Sequence, residues 1–188
     1  MKRLYEAVVS EHFSEHRQML FLMEPRQAGK TTTARQIVEN FPESAYLNWD
    51  NQAYRQLLLG GPQALAGHLN FERLRETPPL CILDVIHKYG QWKTFLKGCH
   101  DSYPEAVRLL VTGSARLDVF KAGSDSLMGR YFTCRMHPLS VSELLHAELP
   151  DDSLIRNPLP LDEERFQILL KFGGFPDPFL RQNEHEPN

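Results

Sequence analysis

The residues with the plainest chemical potential are Gly29, Lys30 and Thr31. They close the stretch Glu24-Pro25-Arg26-Gln27-Ala28-Gly29-Lys30-Thr31. Set against the pattern G-x-x-x-x-G-K-[ST], seven of the eight positions fit, and Glu24 stands where the first glycine would be. Each residue type answers a separate need of a bound polyphosphate. Successive backbone N–H groups must turn inward as a nest, and Gly29 permits that tight path. A helix beginning here adds its positive end. Lys30 brings a point charge to the β and γ oxygens, and the Thr31 hydroxyl is a ligand for Mg²⁺. The binding stretch expected on these grounds is Pro25, Arg26, Gln27, Ala28, Gly29, Lys30, Thr31 and Thr32. A carboxylate at Glu24 weakens anion binding if it faces the site and costs little if it faces solvent.

A second element completes the chemistry. Leu80-Cys81-Ile82-Leu83-Asp84 is an apolar run ending in aspartate, about fifty residues after the loop. A carboxylate in that place accepts hydrogen bonds from magnesium-bound water or from Thr31. Thr31 and Asp84 are therefore the expected metal-supporting pair. ATPases that use a catalytic base here carry glutamate as the next residue. This chain has Val85, which can neither accept nor donate a proton. His87 and Asp50 lie near enough in the pattern to position a water instead. Simpler roles are a polar junction contact for His87 and a helix cap near Asn51 for Asp50.

These residues need a frame to hold them. Short apolar runs at 18–23, 45–49, 80–83, 108–112 and 131–136 read as strands. Helical patterns fall at 3–16, 31–40, 51–59, 62–75, 91–101, 140–147 and 162–171. The strand runs are continuously apolar rather than alternating, as in a parallel sheet covered on both faces. Ligands bind such sheets beyond the carboxyl ends of the strands. The polar groups at those ends are Glu24–Thr32, Asn48–Asn51, Asp84–Lys88 and Gly113–Arg116.

Composition narrows the field. The chain has 188 residues, a formal net charge of −3, 41% hydrophobic and 24% charged residues. That balance gives no bulk electrostatic case for nucleic acid or an acidic membrane surface. No stretch approaches the roughly 20 apolar residues of a membrane span. The start of the chain, broken by Glu6, Glu11, His12 and Glu15, is not expected to be a signal peptide. Three scattered cysteines, Cys81, Cys99 and Cys134, build neither a disulfide framework nor a zinc site. A cytoplasmic location is the simplest expectation.

Six stretches together resemble a bacterial and archaeal AAA-type ATPase family whose AAA domain is followed by a C-terminal region, DUF4143. They are PRQAGKTTTARQI (25–37), YLNWDN (46–51), LDVIHKYGQWKTFLKG (83–98), LLVTGSARLDVFKAGSDSLMGRYF (109–132), HPLSVSEL (137–144) and GGFPDP (173–178). The resemblance implies a three-layer α/β P-loop fold with a mostly parallel sheet of about five strands. The aspartate-bearing strand would not lie directly beside the P-loop strand. It implies ATP as ligand, with Lys30 and Thr31 on phosphate and metal, and Asp84 supporting Mg²⁺. Ser114 would be a polar sensor near the γ-phosphate. Arg130 would be a charge-stabilising arginine, in cis or toward a neighbouring subunit of a homo-oligomer. Residues 1–150 would form the ATPase domain, and 151–188 the start of the following helical region, cut short.

Two departures from the family, Glu24 for glycine and Val85 for glutamate, fall at the nucleotide site. The expected function is an ATP-binding domain with weak or lost hydrolysis, as in a truncated or decaying copy that keeps the fold better than the chemistry. The alternatives are a competent ATPase using another water-positioning residue, and a scaffold that no longer binds nucleotide. The Asp84-x-x-His87 spacing also occurs in helicases, but the chain is too short for two motor lobes. A small-molecule kinase fits the TGSAR and LMGR segments less well.

Overall fold

The computed structural model describes residues 2–24, 27–41, 43–114, 127–145 and 159–182. Five parallel strands form one sheet in the order β2-β3-β4-β1-β5. They are β1 (Met19–Glu24), β2 (Ser44–Asn48), β3 (Leu80–Asp84), β4 (Arg108–Ser114) and β5 (Tyr131–Arg135). The expected runs are all strands, and β4 separates β1 from β3, as the family resemblance implies.

Strand periodicity sends alternate residues to opposite faces, and both faces are buried. Met19, Phe21, Cys81, Leu83, Leu109 and Val111 pack on one side with α3 (Gln52–Leu59), α4 (Gly61–His68) and α5 (Trp92–Ser102). Leu20, Leu22, Leu80, Ile82 and Leu110 pack on the other, with α1 (Leu4–Glu15) and α2 (Lys30–Asn40). Continuous apolar runs are the sequence signature of that double burial.

The second helix of the 51–75 stretch ends earlier than expected. Asn70 has φ +51, which stops the helix after His68. Arg75 then reaches back to the carbonyls of Leu69 and Asn70, at 3.0 and 2.6 Å. A distant guanidinium thus satisfies helix-terminal oxygens that periodicity alone would have left inside a longer helix. A single 3-10 turn at Ile86–Lys88 and the short helix α8 (Pro176–Arg181) were not expected from the pattern. The remaining helices are α6 (Val141–Leu145) and α7 (Glu163–Phe172).

The segment after α7 meets the chain just beyond β5. The Leu139 N–H donates to the Gly174 carbonyl at 2.6 Å. A Cβ on residue 174 would lie 2.3 Å from the Leu139 oxygen, so only glycine admits the contact. Pro176 then sits 3.2 Å from where a Gly29 Cβ would be. The GGFPDP stretch is therefore packed against the phosphate-loop glycine.

Candidate functional site

The loop between β1 and α2 has the backbone that an anion nest requires. Gln27 has φ +71 and Gly29 φ +96, on either side of Ala28, whose φ is not positive. Alternating the hand of successive residues turns their N–H groups toward one side. Gly29 is also the N-cap of α2, and its carbonyl accepts from the Thr33 N–H at 2.9 Å. The first turn of α2 carries no acidic residue, so its positive end is uncompensated from within the helix. Lys30 is half-buried, while Gln27, Thr31 and Thr32 are exposed. Pro25 and Arg26 lie outside the described residues, as do the side chains of Glu24 and Ser114. The backbones of Glu24 and Ser114 pair in register at the ends of β1 and β4.

Asp84 ends β3 at 1% exposure. Strand parity decides where it points: Leu80 and Ile82 face α2, so Asp84 does too. Its Oδ2 lies 3.5 Å from the Thr31 hydroxyl, the contact expected of a metal-supporting pair. Three further donors surround the carboxylate. The Thr112 hydroxyl donates to Oδ1 at 2.6 Å. The Tyr46 hydroxyl donates to Oδ2 at 2.5 Å, and the Asn48 amide to the same oxygen at 3.3 Å. Four donors compensate the carboxylate, which is what lets a charge be buried. Burial, then the hydrogen bond to Asp84, pushes the Tyr46 phenol up to about 12, so it stays a neutral donor.

Tyr46 and Thr112 were missed from sequence, and Asn48 was named only as a polar group at a strand end, although a signal existed. All share the face of Asp84: Asn48 and Thr112 pair with it in register, and Tyr46 lies two residues before Asn48 on β2. Polar residues on the α2 face at that end of a parallel sheet converge on one point.

Thr31 and Asp84 present oxygen atoms of the kind that Mg²⁺ prefers and are the described residues that would hold it. No cluster of three or more His, Cys, Asp or Glu side chains suited to a metal occurs among the described residues. Phosphate-bound magnesium needs none.

The residue after Asp84 breaks a rule. Val85 has φ +59 and ψ +19, a left-handed conformation that is an outlier for a β-branched side chain. Its N–H still donates to the Thr112 carbonyl at 3.2 Å. Beyond it, the His87 Nδ1 is buried without a hydrogen-bond partner among the described residues. Burial, then the charges of Lys30 and Lys88, lowers the His87 pKa. Asp50 does not cap α3. Asn51 does, its side-chain oxygen accepting from the Ala53 and Tyr54 N–H groups at 2.9 and 3.3 Å. Asp50 instead pairs with Lys88 at 2.7 Å.

Arg130 is not brought to this constellation. It precedes β5, and its carbonyl accepts from the Met19 N–H at the amino end of β1. The loop leaves the other end of that strand, about 17 Å away at 3.3 Å per residue. The guanidinium makes a two-pronged pair with Asp101, at 2.7 and 3.0 Å, and those bonds hold the Asp101 carboxyl below its usual range.

This sheet order, with the phosphate loop after β1 and Asp84 two strands away on β3, defines a P-loop ATPase domain. Residues 16–145 match the family model described as an AAA domain, and the chain belongs to that family. No curated protein sequence matches it. Three solved structures are similar in fold. DnaA from Aquifex aeolicus, bound to AMPPCP, has a TM-score of 0.55 at 15% identity, covering 96% of this chain and 59% of that one. The ORC1 protein of Aeropyrum pernix, in complex with DNA, has 0.51 at 17%, covering 75% and 46%. PCH-2 of C. elegans has 0.50 at 14%, covering 90% and 55%. The chain thus spans about half to three fifths of each. Among the described residues no helix is long and apolar enough to cross a membrane.

Proposed function

We propose that this chain binds ATP with Mg²⁺ at the loop Pro25–Thr32 and hydrolyses it weakly or not at all. The observation that carries the reading is the approach of Thr31 to Asp84 at 3.5 Å, with valine next along the chain. Lys30 and Thr31 hold phosphate and metal, and Asp84 acts on the metal through Thr31 or a bound water. Ser114 ends β4 in register with the last residue of β1, which suits a sensor of the γ-phosphate. Magnesium supplies charge neutralisation for the phosphates. At position 85 no side-chain base is available to polarise water. The fold relation to AMPPCP-bound DnaA is consistent with adenine nucleotide. At 14–17% identity the relatives carry fold alone, so DNA binding is not extended to this chain.

The test is calorimetric titration with AMPPCP and Mg²⁺ beside Lys30→Ala. Binding by wild type and none by the variant is expected. No binding by either would leave the third reading, a scaffold whose Glu24 repels anions. Phosphate release from ATP then separates a silent site from a working one. A working site is the second reading, favoured by one feature. His87 is near enough to Lys30 and Asp84 to feel both charges, burial lowers its pKa, and its Nδ1 has no hydrogen-bond partner among the described residues. In the second reading a local opening brings that nitrogen to the attacking water.

Residues 1–150 are proposed as the ATPase domain and 151–188 as the start of a helical region, packed back through Gly174 and Pro176. Arg130 is proposed to act on a neighbouring copy in a homo-oligomer, since its own nucleotide site is a strand's length away. A cytoplasmic location is the matching compartment.

A further inference from the structure

Arg3 is buried to 3% exposure, rare for an arginine, and is spread across three parts of the fold. Its Nη1 donates to the Ala28 carbonyl at 2.8 Å, and its Nη2 to the His137 carbonyl at 2.8 Å. Nε donates to Glu143 Oε1 at 2.6 Å, and Nη2 to Oε2 at 3.2 Å. Glu143, itself buried, also accepts from the Leu4 N–H at 2.9 Å. The charge is thus neutralised inside the protein, so Arg3 does not serve as a loose cation for phosphate.

The contact with Ala28 has a geometric consequence. The Ala28–Gly29 peptide unit is planar and trans, so its C=O and N–H point in opposite directions. Pinning the carbonyl toward Arg3 turns the Gly29 N–H away from it. Gly29, at φ +96, has no Cβ to restrict its backbone, so a bond to the preceding carbonyl helps fix its amide. We propose that Arg3 is a positioning residue of the nucleotide site, which aims the Gly29 amide at the β-phosphate by holding the Ala28 carbonyl from behind. Glu143 holds Arg3 in turn, and the fork geometry of a guanidinium is needed to bridge all three partners. The inference rests on the phosphate-binding reading of the loop.

The test uses the full chain with two variants, Arg3→Lys and the charge-neutral pair Arg3→Met with Glu143→Gln. The second avoids an unpaired buried carboxylate. Circular dichroism first checks folding at the assay temperature. Affinity for Mg²⁺-AMPPCP and for inorganic tripolyphosphate is then measured, with the Gly29 amide followed by ¹⁵N–¹H spectroscopy. Both variants are expected to stay folded, to bind both ligands at least ten-fold more weakly, and to lose most of the ligand-induced movement of the Gly29 resonance. Folded variants with wild-type affinity and an unchanged Gly29 response would overturn the inference and leave the site reading intact. Unfolding of both variants would make Arg3 a structural residue and overturn it too. Absence of binding by wild type would defeat the phosphate-binding reading, and this inference with it.

Discussion

At the scale of single residues, Val85 is where chemistry and backbone conflict. A β-branched residue at φ +59 costs of order 1–3 kcal/mol, so packing would not have chosen it. The strain belongs to the turn after Asp84, whose N–H at 85 extends the ladder to β4. A glutamate there would follow Asp84 directly, on a backbone bonded to Thr112 of β4. Val85→Glu is expected to raise the rate of phosphate release by about 10² to 10⁴, the usual worth of a general base. Nucleotide affinity should change little. Steady-state phosphate release beside calorimetry checks both. An unchanged rate would mean that something other than the missing base limits turnover.

At the scale of elements, two contacts hold the site's frame. Gly174 lets the segment after α7 meet the backbone at Leu139. Gly174→Ala places a methyl 2.3 Å from a backbone oxygen that cannot swing aside. It should destabilise the chain by about 1–3 kcal/mol, the cost typical of overpacking, and lower the midpoint of thermal unfolding. Because Pro176 follows and touches Gly29, nucleotide affinity should fall as well. Thermal melts with and without AMPPCP read both effects.

The second contact is His12 of α1, buried against Phe13 and Phe132, with Nε2 donating to the Gln18 carbonyl at 2.8 Å. Burial lowers its pKa below 6.5, and the neighbouring His16 adds to the shift. The unfolded chain therefore takes up a proton more readily than the folded one. The stabilisation is full above pH 6.5 and is lost as pH falls below it. His87 is shifted the same way and adds to the same window. His12→Gln keeps a donor for Gln18, and the difference in urea midpoint between pH 7.5 and 5.5 should shrink.

At the scale of the whole molecule, the parallel sheet separates the candidate nucleotide site from Arg130. The loop, Asp84 and their polar neighbours gather at the carboxyl end, and Arg130 lies at the amino end, paired with Asp101. The proposed role of Arg130 toward nucleotide on a neighbouring copy is drawn from that placement. In a Val85→Glu background, phosphate release per chain should rise with protein concentration. Adding Arg130→Ala should remove that rise while leaving AMPPCP affinity unchanged. A rate independent of concentration in both would tell against assembly as the route to activity.

The sequence by itself determined the nucleotide loop, the aspartate strand and the double-faced sheet. Each is written in contiguous residues: Gly29-Lys30-Thr31 after an apolar run, Leu80–Asp84, and strands without alternation. Local sterics and burial leave such stretches few conformations. The resemblance added strand order, which no short window contains. Only the tertiary structure decided that Tyr46, Asn48 and Thr112 converge on Asp84, that Arg3 braces Ala28, and that Arg130 stands at the far end of β1. A tyrosine, a threonine or an arginine is compatible with many roles. Which role it takes depends on partners 25 to 140 positions away, brought together by strand pairing and by the burial of two opposite faces.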